Sequence, residues 1–362
     1  MEFEWRDQPH LLEGWEGLSL EEQSAFIAEL KRCFSMWPPE KSETDALSLQ
    51  PLLDVPWVHE VPGEEIGREL IAQGKVAAIV LAGGQGSRMQ LTGPKGMVPS
   101  VPDDPTSPTL FQVFASMTLR AQKSARRLLH LAIMTSPLND AATRAYFAAN
   151  DLFGLSQVQF FQQSMRPLLD EKNRWVLERP GKLAEGPDGN GYLFHALARS
   201  SILSEWEASG VEYVNVVLVD NPLADPFEAH GIGYQHLQGS DVLLRAIKRS
   251  DQAEKVGIVG LHDNRVRVVE YSEMSDNNQM FDVGNTSLFS FRIDLIKRLL
   301  AVKLPWHLAH KHVETFKGRT LVRKQEAFIF DLLMYAQNAK VLLYPREQIF
   351  APLKTLLNST RG

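Results

Sequence analysis

Apolar and polar positions along the chain follow two different rhythms. From Lys75 onward, continuous apolar runs alternate with stretches of helical period. "VAAIVLA" (76–82), "LLHLAIMTS" (128–136), "VQFFQQS" (158–164), "EYVNVVLVDNP" (212–222) and "AKVLLYP" (339–345) read as strands, the longer ones as strands buried on both faces. Between them, 109–126, 139–150, 190–210, 293–302 and 326–338 have helical spacing. The segment 190–210 reads as one long helix closed by Gly210, and "EAFIFDLLMYAQN" (326–338) as a helix before the last strand. Segments 241–250, 256–274 and 285–293 add extended chain. Alternation of this kind predicts an α/β fold with an open, mostly parallel sheet and helices on both faces. Ligands of such sheets bind at the carboxyl ends of the strands.

Ahead of Lys75 the pattern differs. "SLEEQSAFIAELKRCFSMW" (19–37) is amphipathic, with Ser19 as N-cap and acidic residues in the first turn. A proline-rich polar connector follows over 38–57, and "PGEEIGRELIAQG" (62–74) reads as a helix closed by Gly74. The expected division is a helical extension over 1–73, a catalytic domain over 74–345 and a short C-terminal segment over 346–362. The extension is expected to pack on the catalytic domain and to carry no chemistry.

Composition narrows the function classes. With 362 residues and 44% hydrophobic content the chain can bury a large core. A net charge of −6 argues against electrostatic nucleic-acid binding, so anionic ligands need local cations. The single cysteine, Cys33, excludes an internal disulfide framework and a cysteine-rich zinc site, and reads as a small apolar helix residue. No secretory leader is visible in "MEFEWRDQPH", no run reaches the ~20 apolar residues of a membrane span, and the expected location is the cytoplasm.

Four strings carry candidate chemistry. In "LAGGQGSRMQLTGPKGM" (81–97), Gly83, Gly84 and Gly86 follow the first buried strand and would let backbone N–H groups approach a ligand. A dinucleotide loop needs a third glycine where Met89 stands, and a P-loop string is absent, which leaves a bare strand-to-helix turn or a phosphate site. The cations Arg88 and Lys95 favour the anion reading. In "VVLVDNP" (216–222), Asp220 ends a buried strand and is either a Mg²⁺ ligand or a turn-forming residue. "EGPDGNGYLFHAL" (185–197) is a turn opening a helix, either a donor-rich ligand site or a plain cap, and His195 within it reads as structural. In "VVEYSEM" and "FDVGNTSLFSF", Glu270, Glu273 and Asn285 are candidates for sugar hydroxyls, Asn285 also for a metal, or ordinary surface residues. The ten histidines have no zinc-binding spacing.

Taken in order, "LAGGQGSR", "PKGM", "FFQQSMRP", "PDGNGYLFHAL", "VDN", "VEYSE", "GN" and "APLK" resemble the motif series of the eukaryotic-type UDP-N-acetylhexosamine pyrophosphorylases, in the UDP-sugar pyrophosphorylase family, from about Lys75 to Lys354. The resemblance implies a Rossmann-like, GT-A-like mixed sheet and the reaction of UTP with a sugar 1-phosphate. It implies that the backbone of Leu81, Ala82, Gly83 and Gly84 meets uracil and ribose, with Gln163 and Gly189 reading the uracil. Arg88 and Lys95 would hold the triphosphate, Asp220 the Mg²⁺ and its nucleotide, and Lys354 the sugar phosphate. Asn190, Glu270, Glu273 and Asn285 would lie in sugar-binding segments. "PDGNG" favours N-acetylglucosamine 1-phosphate over glucose 1-phosphate, with glucose or a broad sugar range as the alternative. The partners implied are small molecules, with neither nucleic acid nor membrane; the oligomeric state stays open, with a monomer favoured.

The chain also departs from that pattern. Relatives read E-K-F-V-F-D where this chain reads "EAFIFD", so Ala327 replaces a lysine expected near the nucleotide phosphates, and Lys324 or Arg323 are the candidates to replace it. This gap keeps a third reading, a nucleotide-sugar-binding regulator without turnover. The chain ends at Gly362, soon after "APLK", so a C-terminal domain typical of the family is expected to be vestigial or missing. An NAD oxidoreductase is disfavoured by Met89.

Overall fold

The computed structural model describes residues 8–36, 49–84, 93–101, 104–270, 273 and 281–353. They fall into two compact units. The larger takes the described residues of Leu47–Gln162, Leu193–Lys303 and Ile329–Gly362; the smaller takes those of Met1–Ala46, Gln163–Tyr192 and Leu304–Phe328.

The larger unit is built on a mixed sheet. Strand Val76–Leu81 is buried at every position, as its unbroken apolar run requires. It pairs in parallel with His130–Thr135 on one side and Tyr213–Leu218 on the other, and His130–Thr135 pairs in parallel with Gln159–Gln162. Strand Val283–Arg292 then reverses direction against Tyr213–Leu218 and Val242–Lys248. Ala339–Leu343 joins Val242–Lys248 in parallel, and Ile258–His262 pairs antiparallel with Arg265–Val269. Helix Leu110–Ala125, capped by Thr109, brings Phe111 and Phe114 into the core beside Phe147 of helix Asp140–Ala149.

Two helical expectations need correction. The stretch 190–210 is not one helix: Leu193–Arg199 and Ile202–Ala208 are separated at Ser201, whose φ is +66°. The Ser200 hydroxyl donates to the Leu197 carbonyl, a local bond of the type that competes with a continuing helix. The stretch 326–338 is the end of a strand followed by a 3₁₀ segment, Ile329–Tyr335. Helix Ala229–Leu237 was not signalled by the sequence because Gly231 and Gly233 depress its propensity. Gly233 has a packing purpose, since a Cβ there would lie 1.8 Å from the Gly63 carbonyl oxygen. Helix Glu64–Ala72 crosses Ala229–Leu237 so closely that a Cβ on Gly67 would lie 1.7 Å from the Ala229 carbonyl oxygen.

In the smaller unit, Ser19 caps helix Leu20–Cys33 through a reciprocal capping box with Glu22. Phe26, Leu30 and Cys33 pack with Leu11, Trp175, Leu177 and Leu183. A hairpin, His307–Thr315 with Gly318–Glu326, was also invisible in the sequence. Its inward positions are His307, Ala309, Lys311, Val313 and Thr315, too polar to show an alternating pattern. Among the described residues, no helix is long and apolar enough to cross a membrane.

Two outcomes follow from this packing. Gly67→Ala is expected to lower unfolding free energy by ~1–3 kcal/mol, the usual range for overpacking, in urea titration, whereas Gly17→Ala, with open space around it, leaves the midpoint in place. Burial pushes the Cys33 thiol up to about 12, so it stays protonated and unreactive at neutral pH. Iodoacetamide at pH 8 should modify it only after denaturation; rapid labelling of the folded protein would contradict that burial.

Candidate functional site

The in-register parallel pairing of Val76–Leu81 with Tyr213–Leu218 sets Leu81 opposite Leu218. The chain leaving each strand therefore emerges at the same sheet edge. The Val219 N–H donates to the Leu81 carbonyl at 3.1 Å, which extends the ladder into the two loops. Ala82 is held on both sides: its N–H donates to the Met134 carbonyl at 2.8 Å, and its carbonyl accepts from the Asn139 side-chain amide at 2.8 Å. Asn139 is fixed in turn by the Ser136 N–H, which donates to its Oδ1. Gly83 is buried and Gly84 is exposed, with nothing within 4 Å of where a Cβ would stand. The backbone of 81–84 is thus rigid up to an open end, which suits close approach by a ligand.

Lys95 comes to the same edge. It starts a short 3₁₀ turn, Lys95–Met97, after Pro94, and the Met97 N–H closes that turn on the Pro94 carbonyl. Gly96 beside it is required by packing, since a Cβ there would lie 2.2 Å from the Phe111 ring. Lys95 Nζ donates to Asp220 Oδ2 at 3.2 Å, and both side chains are largely buried, with 14% and 12% exposure. The sequence placed these two residues 125 positions apart; the fold makes them an ion pair.

Asn221, next to Asp220, was quoted in the motif "VDN" but given no role by the sequence. It is buried, donates from Nδ2 to the Ile349 carbonyl at 2.7 Å, and accepts at Oδ1 from the Ala351 N–H at 3.1 Å. The Leu353 N–H donates to the Asp220 carbonyl at 2.9 Å. Three hydrogen bonds therefore tie the segment 349–353 to the Asp220–Asn221 turn. Lys354 and Arg88 lie outside the described residues.

Strand Val283–Arg292 runs antiparallel to Tyr213–Leu218, with Phe289 opposite Val216, so its early residue Asn285 lies toward the same edge. Asn285 is buried and its N–H donates to the Gly257 carbonyl at 2.8 Å. Its Oδ1 accepts from the Ser287 N–H at 2.9 Å, and Nδ2 reaches the Ser287 hydroxyl at 3.3 Å. Ser287 adopts φ +58° beside a shift in strand register, a conformation costly for a non-glycine residue. The result is an amide whose orientation is set. Glu270 is half-buried, and the Glu273 N–H donates to its carbonyl at 2.9 Å, with Glu273 itself exposed.

The smaller unit carries Gln163, Gly189 and Asn190. Gln163 is buried and Asn190 half-buried. Gly189 has φ +88°, and a Cβ there would lie 2.2 Å from the Ala327 carbonyl oxygen. Ala327 is fully buried and acts through its backbone: its N–H donates to the Asp188 carbonyl, and its carbonyl accepts from the Gly191 N–H, both at 2.9 Å. Position 327 thus keeps a clamp around Gly189 without a lysine side chain. Of the two candidate replacements, Arg323 is committed through Nε and Nη2 to the Asp170 carbonyl, and Lys324 pairs with Glu326 at 2.6 Å. Lys311 Nζ lies near Lys324 and Glu326, and its pKa is lowered, chiefly by burial and then by Lys324.

A divalent cation is tested by the donor chemistry. Among the described residues no group of three or more His, Cys, Asp or Glu side chains converges to hold a metal. That disfavours an all-protein cage. It leaves Asp220, a hard carboxylate at a sheet edge already facing a cation. Such a set fits Mg²⁺, which takes one or two carboxylates and keeps phosphate oxygens and water.

The expected outcome for Asn221→Ala follows from these bonds. It leaves the Ile349 carbonyl and the Ala351 N–H without partners and is expected to cost ~1–3 kcal/mol. Hydrogen exchange at Ala351 and Leu353 should accelerate relative to strand Val76–Leu81; unchanged protection there would show that the tether does not depend on Asn221.

Comparison with known proteins identifies the family. Residues 36–358 match the family model described as UTP--glucose-1-phosphate uridylyltransferase. The chain is similar to UDP-N-acetylglucosamine diphosphorylase 1 of Arabidopsis thaliana, at 31% identity over 84% of this chain and 67% of that protein. It is similar to UDP-N-acetylhexosamine pyrophosphorylase-like protein 1 of Xenopus tropicalis, at 35% identity over 80% of this chain and 62% of that protein, so it spans less than two thirds of this relative's length. In fold it is similar to the uridine diphosphate N-acetylglucosamine pyrophosphorylase of Trypanosoma brucei, with a TM-score of 0.80 at 24% identity over 95% of this chain and 78% of that one. With the motif series, the sheet edge and these matches together, the chain belongs to the UTP--glucose-1-phosphate uridylyltransferase family, among relatives of the UDP-N-acetylhexosamine pyrophosphorylase type.

Proposed function

We propose that the protein is a uridylyltransferase that converts UTP and a sugar 1-phosphate, N-acetylglucosamine 1-phosphate first, into a UDP-sugar and pyrophosphate. The observation that carries the reading is the meeting of Lys95 and Asp220 at the edge reached by the open Leu81–Gly84 backbone. A cation and a carboxylate able to take a divalent metal, beside an open backbone end, suit a triphosphate. The relatives named for the N-acetylated sugar support that choice.

The nucleophile is the sugar phosphate oxygen, an anion at neutral pH, so no general base is required. It attacks the α-phosphorus in line, and the bond from that phosphorus to the β-bridging oxygen breaks to release pyrophosphate. The difficulty is that two polyanions must meet, so catalysis rests on positioning and on neutralising charge. Mg²⁺, held by Asp220, would supply charge neutralisation at the triphosphate. Lys95 and Arg88 bind triphosphate oxygens, and Lys354 binds the sugar phosphate. The tether from Asn221 to 349–353 fixes the backbone that leads to Lys354. Asn285 offers its fixed amide to the sugar, with Glu270 and Glu273 as further hydrogen-bonding groups of the larger unit. For Gln163 and Gly189, on the smaller unit, the motif resemblance implies recognition of uracil.

The test is pyrophosphate release from UTP, Mg²⁺ and a panel of N-acetylglucosamine, N-acetylgalactosamine and glucose 1-phosphates. The N-acetylated glucose is expected to be used best, and Asp220→Asn to lose about 10²–10³-fold in rate with its melting temperature retained. Preference for glucose 1-phosphate would reassign the sugar. No release with any of the three would sink the enzyme reading and leave a nucleotide-sugar-binding protein.

A further inference from the structure

The hairpin of the smaller unit brings two lysines to one bare backbone position. In its register Lys311 stands opposite Val322, and Lys324 opposite Ala309. A Cβ on Gly186 would lie 3.2 Å from Lys324 Cε and 3.6 Å from Lys311 Nζ, so both side chains end against the strand Glu185–Pro187. The same point is 3.2 Å from Leu168 Cδ2, and Leu168 belongs to a buried apolar cluster with Ala184 and Val322. All of these residues are part of the smaller unit.

Two ammonium groups there share one carboxylate. Lys324 Nζ pairs with Glu326 Oε1 at 2.6 Å, with side chains 15% and 24% exposed. Lys311 is half-buried, and among the described residues it makes neither an ion pair nor a hydrogen bond. Burial and the Lys324 charge both act against its ammonium, and Glu326 offsets them only in part. A shielded charge without a partner destabilises the fold, and a second cation beside it adds to that cost. An anion bound between the two removes it.

We propose that Lys311 and Lys324 form an anion site on the smaller unit that takes a phosphate-bearing ligand. Lysine serves phosphate as a point charge, and a phosphate or pyrophosphate group presents several acceptor oxygens to two ammonium groups at once. A lone carboxylate is the poorer fit, because Glu326 already supplies one to Lys324. The bound oxygens accept from Lys311 and share Lys324 with Glu326, whose own charge opposes the anion. The site uses no residue of the larger unit, and the inference does not rest on the proposed reaction.

The experiment is trace acetylation of the full chain with acetic anhydride at pH 8, with Lys311 read by peptide mass spectrometry. Pyrophosphate is the probe, UTP a second arm, and sodium acetate at matched ionic strength the control. Pyrophosphate well above its dissociation constant should lower Lys311 labelling about tenfold by mass action, while acetate leaves it in place. The protection should persist in Lys95→Met, which removes the candidate phosphate-binding lysine of the larger unit. Lys324→Met should raise the half-protecting concentration about tenfold and Glu326→Gln should lower it, since one removes an attraction and the other a repulsion. Lys324→Arg, which keeps the charge, should stay near wild type. Melting curves check folding, and Lys324→Gln replaces Lys324→Met if that variant does not fold. Protection by pyrophosphate alone identifies a free anion as the occupant, and protection by UTP identifies the phosphates of a nucleotide; either supports the site. Labelling indifferent to both anions, protection equalled by acetate, or protection lost in Lys95→Met overturns it. So does a half-protecting concentration unmoved by both Lys324→Met and Glu326→Gln.

Discussion

The parallel pairing of Val76–Leu81 with Tyr213–Leu218 is the constraint on which the larger unit's chemistry depends. With Leu81 opposite Leu218, the glycine-bearing loop and the Asp220 turn leave the sheet side by side. A register slip of one residue would turn the Tyr213–Leu218 side chains to the other face. Burial on both faces makes such a slip costly, since every position of Val76–Leu81 is buried. Rigidity in the strands is thus converted into fixed placement of groups that must handle charge.

Around that edge the structure spends its polar side chains on holding backbone. Asn139 holds the Ala82 carbonyl, Asn221 holds Ile349 and Ala351, and the Asn285 side chain accepts the Ser287 N–H. Each fixes a segment from which a candidate binding group projects. Lys95 and Asp220 are the exception, because they neutralise one another. Position 327, where the motif comparison expects a lysine, is held through its backbone. Its backbone still brackets Gly189 through Asp188 and Gly191, and a Cβ at 189 would collide with it.

Much of this was legible in the sequence, for identifiable reasons. Buried parallel strands write themselves as unbroken apolar runs, so Val76–Leu81, His130–Thr135 and Tyr213–Leu218 were visible. The helix after Ser19 was visible through its capping signal, and the one after Thr109 through its helical spacing. The hairpin His307–Glu326 was not, because its inward positions include His307 and Lys311. The break at Ser201 was missed because apolar period continues across it while two serines divert the backbone. At the candidate site, the strings named the residue types but not their partners. Nothing local to "GPKG" or "VDN" says that Lys95 meets Asp220, or that Asn221 ties down the segment before Lys354; those contacts belong to topology.

The central claim is that a sugar phosphate oxygen attacks the α-phosphorus of UTP directly. It is tested most directly by following isotopically heavy oxygen from the phosphate of N-acetylglucosamine 1-phosphate, by phosphorus NMR and mass spectrometry of the products. The account predicts that all of the label stays in the UDP-sugar, with label in the bridge between the two phosphorus atoms and none in pyrophosphate. Label in pyrophosphate, or incubation that yields no UDP-sugar, would contradict it.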